Sequence, residues 1–223
     1  MKYIRKFETI DESNLWREGQ EWVKPNVALV AGEVGYNYSQ FGIFIQHIDG
    51  SLYSSAQWSE KGYTSNEANG VAVLTAKAQF VIAKGYVSTS MAWSSDTSTL
   101  VSGLGVFESD IAVMKDYDGR VNTQLMLTTD TSGAGFSCAN FLFPNGNKGY
   151  LPAAGELYIV FQNKSEINSL MKIIGGESFL DTEIIWSSSQ RSATGSWIIN
   201  MKKGSRFSAG KADVYYVRAF AAI

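Results

Sequence analysis

The sequence predicts an α+β protein, and three observations carry that prediction. Helical spacing of apolar residues is confined to the middle of the chain, while short alternating or apolar runs bounded by Gly, Asn and Asp occupy both ends. Twenty-one Gly, only three Pro and an aromatic content of 13% suit strands joined by tight turns. There is no repeat at a fixed period and no low-complexity tract, so the elements share an ordinary core. A chain of 223 residues can bury roughly 70–75% of its extended surface. Helices between two strand-rich ends imply terminal strands meeting in one antiparallel sheet.

Residues 1–40 differ in character from the rest and predict a short β-rich assembly segment. "WVKPNVALVAGEVGYNY" reads as two short strands, with Pro25 barred from a central position and Gly32 breaking the run. The main domain then spans 41–223. "FGIFIQHIDGSLYSS" is an alternating strand, an Asp49-Gly50 turn of the kind hairpins favour, and a returning strand. "SAQWSEK" suits one helical turn. Asn69-Gly70 leads into "VAVLTAKAQFVIAKG", two strand-like runs. From 86 to 121 the Ser/Thr/Gly-rich stretch predicts a long, ordered, irregular loop. "VNTQLMLTT" and "GFSCANFLF" suit one interrupted helix.

Pro152 fits the first turn of a helix carrying Leu157, Val160 and Phe161. Asn163 and Glu166 have capping-box spacing ahead of the stripe Ile167, Leu170, Met171, Ile174, and Gly175-Gly176 stops that helix. "EIIWSSS", "SWIINMKKG" and "VYYVRAFAAI" are strands.

Composition excludes several function classes. A net charge of −2 gives no electrostatic reason to expect nucleic acid. One cysteine, Cys138, rules out an intrachain disulfide, and its apolar context predicts core packing. No apolar run reaches the length of a membrane span or of a signal-peptide core. The sequence therefore predicts cytoplasmic synthesis and no membrane insertion; work outside the cell would require release by lysis, by a partner or as part of a particle.

"GYLPAAGELYIVFQNKSEINSLMKIIGG", "IWSSSQ", "SWIINMKKG" and "YYVRAF" together resemble the C-type-lectin-like fold in its disulfide-free form. That form is shared by phage major tropism determinants and by variable proteins of diversity-generating retroelements. "FGIFIQHIDGSLY", "DYDGRVNT" and "CANFLF" fall in the family's order, so the resemblance covers 41–223. "YIRKFET", "VKPNVALV" and "VGYNY" look like a leading segment of Bacteroidetes phage and prophage proteins.

The resemblance implies a domain with two to three helices and an antiparallel sheet closed by its terminal strands. It also implies a ligand-binding face at about 188–214, where an inward frame of Trp197, Ile199 and Met201 alternates with tolerant outward positions. That face comprises Arg191, Ser192, Thr194, Ser196, Ile198, Asn200, Lys202, Lys203, Ser205, Arg206, Phe207, Ser208 and Asp213. Phe207, the one apolar aromatic in a polar turn, is the best candidate for an exposed anchor. Trp186, Trp197 and Phe220 are assigned to the core.

The resemblance implies a non-enzymatic binding protein, virion-associated or on a cell surface and foremost a phage tail-associated receptor-binding protein, that engages a macromolecular or glycan receptor on a cell surface, with no cofactor and a homo-oligomer allowed. The alternatives are a structural, assembly or adhesin protein of a phage particle or cell surface, and a carbohydrate-active enzyme. Chemistry motifs are sparse. "FPN" at 143–145 lacks the carboxylate of a calcium-lectin motif, and "DYDGRVNT" has Leu127 where a calcium loop needs glutamate. His47 is the single histidine and is expected to be structural. Glu177, Asp181 and Glu183 are the candidates for a glycosidase pair and read as solvated loop charges.

Overall fold

A computed structural model describes residues 41–223; the expected N-terminal assembly segment lies outside the described residues. The domain is α+β, with two five-stranded sheets and six α-helices among the described residues. This exceeds the two to three helices expected, because the stretch from 110 to 140 folds into short helices of four to eight residues.

The first sheet contains β1 (Gly42–His47), β2 (Leu52–Tyr53), β3 (Ala68–Leu74), β4 (Gln79–Ile82) and β10 (Phe220–Ala221), in the order β10-β4-β3-β1-β2. The hairpin signal holds: Gly50 adopts φ 93°, and Asp49 Oδ1 accepts the Ser51 amide at 2.8 Å. Helix α1 (Ser55–Lys61) starts from a capping box between Ser54 and Gln57 and ends on left-handed Gly62. Asn69-Gly70 lies inside β3 rather than before it. A Cβ on Gly70 would sit 2.2 Å from the Ile82 carbonyl oxygen, so the close approach of β4 requires glycine there. Asn69 stays buried by donating to Gln46 Oε1 at 2.6 Å and accepting the Asn145 amide.

The terminal strands share this sheet but do not pair with each other, which corrects the expected closure. β1 is matched to β3 from Gly42↔Leu74 to His47↔Ala68 and flanked by β2, so its edges are taken. The two-residue β10 docks on β4 instead (Phe220↔Ile82, Ala221↔Val81), and Tyr150 exchanges both backbone hydrogen bonds with Phe220 from its other side.

The second sheet runs β5-β9-β6-β7-β8, from β5 (Ser88–Ala92), β9 (Val214–Val217), β6 (Ile184–Gln190), β7 (Gly195–Asn200) and β8 (Arg206–Gly210). Its pairs are antiparallel except for a parallel contact at Ile185↔Tyr216. β8 occupies what the sequence presents as a turn. Its alternation is weak because it is an edge strand, with solvent beside it.

The expected interrupted helix is two helices, α3 (Gly119–Met126) and α4 (Gly133–Asn140), parted by a turn that ends at Gly133 with φ 88°. The short α2 (Asp110–Val113) precedes them. α5 (Ala154–Gln162) begins two residues after Pro152, with Glu156 accepting the Ala153 amide at 2.7 Å. α6 (Lys164–Ile173) follows. Asn163 does not cap α6; its amide donates back to Ile159 O at 2.8 Å. Left-handed Gly175 and the Gly176 amide on Met171 O end α6.

Two apolar clusters lie on opposite faces of β6 and β7. Ile185, Trp197, Ile199 and Met201 pack with Leu157, Val160, Ile167 and Leu170 of α5 and α6. Trp186 and Ile198 pack with Trp93, Val101 and Leu104 of the long loop. Two indole N–H groups tie the long loop to the sheet, Trp93 to Ser187 O and Trp197 to Phe107 O, and a third, Trp186 to Met91 O, ties β6 to β5.

Candidate functional site

The site begins with the serines after Trp186. The β6–β7 register shifts between Trp186 and Gln190, and hydroxyls fill the gap. Ser187 Oγ donates to Trp197 O at 2.7 Å, and Ser196 Oγ donates to Ser189 O at 2.7 Å. Ser189 Oγ donates to Asp116 Oδ2 at 2.7 Å while accepting the Ala154 amide at 3.0 Å. Asn122 donates to both Asp116 and Ser188. This motif welds β6 to α3 and to the start of α5. It carries structure rather than a ligand.

Past the serines, Gln190 and Lys211 form a second buried junction. Gln190 Oε1 accepts Val101 N at 2.9 Å and Lys211 Nζ at 3.1 Å. Lys211 Nζ also donates to Thr99 O at 2.7 Å and sits 4.8 Å from the Trp93 ring centroid. Desolvation lowers the Lys211 pKa from the ordinary lysine range. The Lys211 amide donates to Thr194 O, and Phe107 N donates to Gln190 O. Three loops, 96–107, 191–194 and 210–213, are thereby fixed at one end of the second sheet.

The predicted face does not form one surface. Arg191, Ser192, Thr194 and Asp213 gather at this loop end, Arg191 lying 5.4 Å over the Trp197 ring. Asp213 accepts the Gly210 amide and closes its own turn. Asn200, Lys202, Lys203, Ser205 and Arg206 lie at the opposite end of β7, five residues and about 17 Å away at ~3.3 Å per residue. Asn200 Oδ1 accepts the amides of Lys202 (2.9 Å) and Lys203 (3.1 Å), so it holds the turn. Arg206 stacks 5.0 Å over Tyr158 and pairs with Asp110 at 3.7 Å.

Ser196 and Ile198 are corrections: both are 0% exposed. Alternation does send Ile198 to the face opposite Trp197, but Trp186 and the long loop cover that face as well. Sheets sealed on both sides lose the in–out pattern, which is why periodicity alone misplaced it. Phe207, paired with Ile198 across the β7–β8 ladder, keeps 40% exposure because β8 is the edge. Ser208 beside it is also exposed.

Sequence reasoning missed Leu100 (51% exposed) and Val106 (46%), which border the loop end. Val106 forms a bridge with Gln190, and Leu100 lies between Thr99 and Val101, both anchored to the junction. The Ser/Thr/Gly-rich composition signalled an ordered loop there, but nothing in it signals which sheet edge the loop would meet.

The remaining candidates are tied into the structure. Glu177 accepts the Tyr86 amide at 2.8 Å, and Asp181 pairs with Lys164. Glu183 is buried rather than solvated, accepting from the Tyr86 hydroxyl and the Leu180 amide, and burial raises its carboxyl above the usual range. His47 sits among Tyr53, Trp58 and Tyr63, its ring 4.6 Å from Tyr63. Cys138 is fully buried, which pushes its thiol pKa up. Among the described residues no cluster of three or more His, Cys, Asp or Glu is placed to hold a metal ion, and no helix is long and apolar enough to cross a membrane.

No family model and no curated protein matches the chain. A solved structure of a fimbrial protein from Bacteroides ovatus ATCC 8483 is similar to it, with a TM-score of 0.55 and 18% sequence identity. The match covers 82% of this chain and 49% of that one, so this chain spans about half the length of the matched structure. At this identity the likeness concerns the fold.

Proposed function

We propose that the domain is a non-enzymatic ligand-binding module of a surface-associated assembly, and that it engages a macromolecular or glycan receptor. The contact surface is the loop end of the second sheet with the adjoining β8 edge. Arg191, Ser192, Thr194, Phe207 and Ser208 contribute to it, bordered by Leu100 and Val106. The observation that carries this reading is a contrast within a few residues. Gln190 and Lys211 are buried and hydrogen-bonded to each other, while side chains of mixed chemistry stand out from the loops they fix. A rigid frame under exposed loops lowers the ordering cost of binding.

The fimbrial description of the structural neighbour supports a surface setting. A C-type-lectin-like scaffold, and a phage or prophage context with retroelement-driven diversification, belong to the same proposal and rest on the motif resemblance. Triple replacement Arg191→Ala, Thr194→Ala, Phe207→Ala tests the site. Capture of immobilised glycans and bacterial surface proteins should weaken about tenfold or more, roughly 1.4 kcal/mol, with the melting temperature little changed. Unchanged capture refutes this surface as the contact.

An assembly role is the second reading, favoured by the same neighbour. Self-association of the full chain in light scattering, lost on deletion of residues 1–40, would support it over receptor binding.

A further inference from the structure

We infer that Lys211 and Gln190 become joined by a self-formed isopeptide bond between the lysine Nζ and the glutamine Cδ. Lys211 is 1% and Gln190 0% exposed, and Nζ lies 3.1 Å from Oε1. The glutamine oxygen receives two donors, Lys211 Nζ and the Val101 amide at 2.9 Å, whereas its buried Nε2 has no partner. Turning the amide over would set its NH2 group against both donors, so the hydrogen-bond pattern fixes the orientation. An orphaned buried donor is costly. Here it is also the leaving group of an amide whose carbonyl stays polarised by the Val101 amide on its oxygen when the lysine nitrogen turns its lone pair to Cδ.

The nucleophile is held in place. Thr99 O at 2.7 Å and the face of Trp93 at 4.8 Å confine the amine. Burial favours the free amine, outweighing the charges of Asp96 and Asp130, which act the other way. The step balances within the chain. The amine lone pair adds to Cδ, a proton from the attacking nitrogen passes to the departing one, the Cδ–Nε2 bond breaks, and ammonia leaves. No oxidant or reductant is consumed. The product closes a covalent ring over residues 190–211 that contains β7 and β8, and the orphaned donor is gone.

The test is the intact mass of purified, folded protein measured after denaturation. The wild type should be lighter than its sequence by one ammonia. Its tryptic digest should contain a branched peptide joining positions 190 and 211, uncut after Lys211. Lys211→Gln should show the full sequence mass. A wild type at full sequence mass overturns the proposal without any variant having to fold, and so does an ammonia loss that persists in Lys211→Gln.

Discussion

Glu156 shows how a buried side chain sets a pH dependence. It accepts from the Ala153 amide at 2.7 Å and the Tyr150 hydroxyl at 2.9 Å, yet burial raises its pKa from 4.5 to about 8. A raised carboxyl binds its proton more tightly in the folded state. Its stabilising contribution is therefore complete below about pH 4.5 and is lost as pH rises towards about 8. Glu156→Gln should gain on the wild type in thermal midpoint across that window; parallel profiles would refute the assignment. At the same scale, Ile198→Ala should cost about 2–4 kcal/mol in chemical denaturation as a cavity opens beneath Trp93 and Trp186. Lys202→Ala, on an exposed turn, should stay within about 0.5 kcal/mol.

Elements were legible wherever their signal was local. The Asp49-Gly50 turn, the helical turn in "SAQWSEK", the Ile167–Ile174 stripe and the Gly175-Gly176 stop follow from neighbours in sequence, and all four stand. The site was legible in part. Phe207 was identified as exposed from its polar setting, but the strand that exposes it was not, since an edge strand with one wet side has little pattern to read. Asn163 failed as a cap because an Asn at a helix junction can turn its amide to the preceding carbonyl instead. The covering of Ile198 depends on Trp93, Val101 and Leu104 of a loop far earlier in the chain, and no local pattern encodes that distance. Asn200→Ala should loosen the 201–204 turn by about 1 kcal/mol while leaving receptor capture intact. A loss of capture equal to that of the triple variant would return the second end of β7 to the site.

At the scale of the whole domain, the sheets are knitted by buried charge as well as by apolar packing. Arg218 is 0% exposed, donates to Ala83 O and Lys84 O, and lies between the rings of Tyr86 and Phe179 at 4.7 and 4.4 Å. It joins the link between β9 and β10 to the segment that follows β4, so the "VRAF" motif reads as a clasp. Arg218→Lys should lose the two-carbonyl grip and the stacking, and destabilise by about 3 kcal/mol. Retained stability would mean the clasp is dispensable.

The placement of β10 beside β4 also has a consequence for the order of events during synthesis. Phe220 stacks on Phe80 at 4.6 Å and completes the rim of a sheet whose other strands left the ribosome long before. Until that last pair arrives, β4 has an open rim and the first apolar cluster lacks its Phe220 stave. The nascent chain must wait, partly assembled and vulnerable to proteases and chaperones, until Phe220 and Ala221 have emerged.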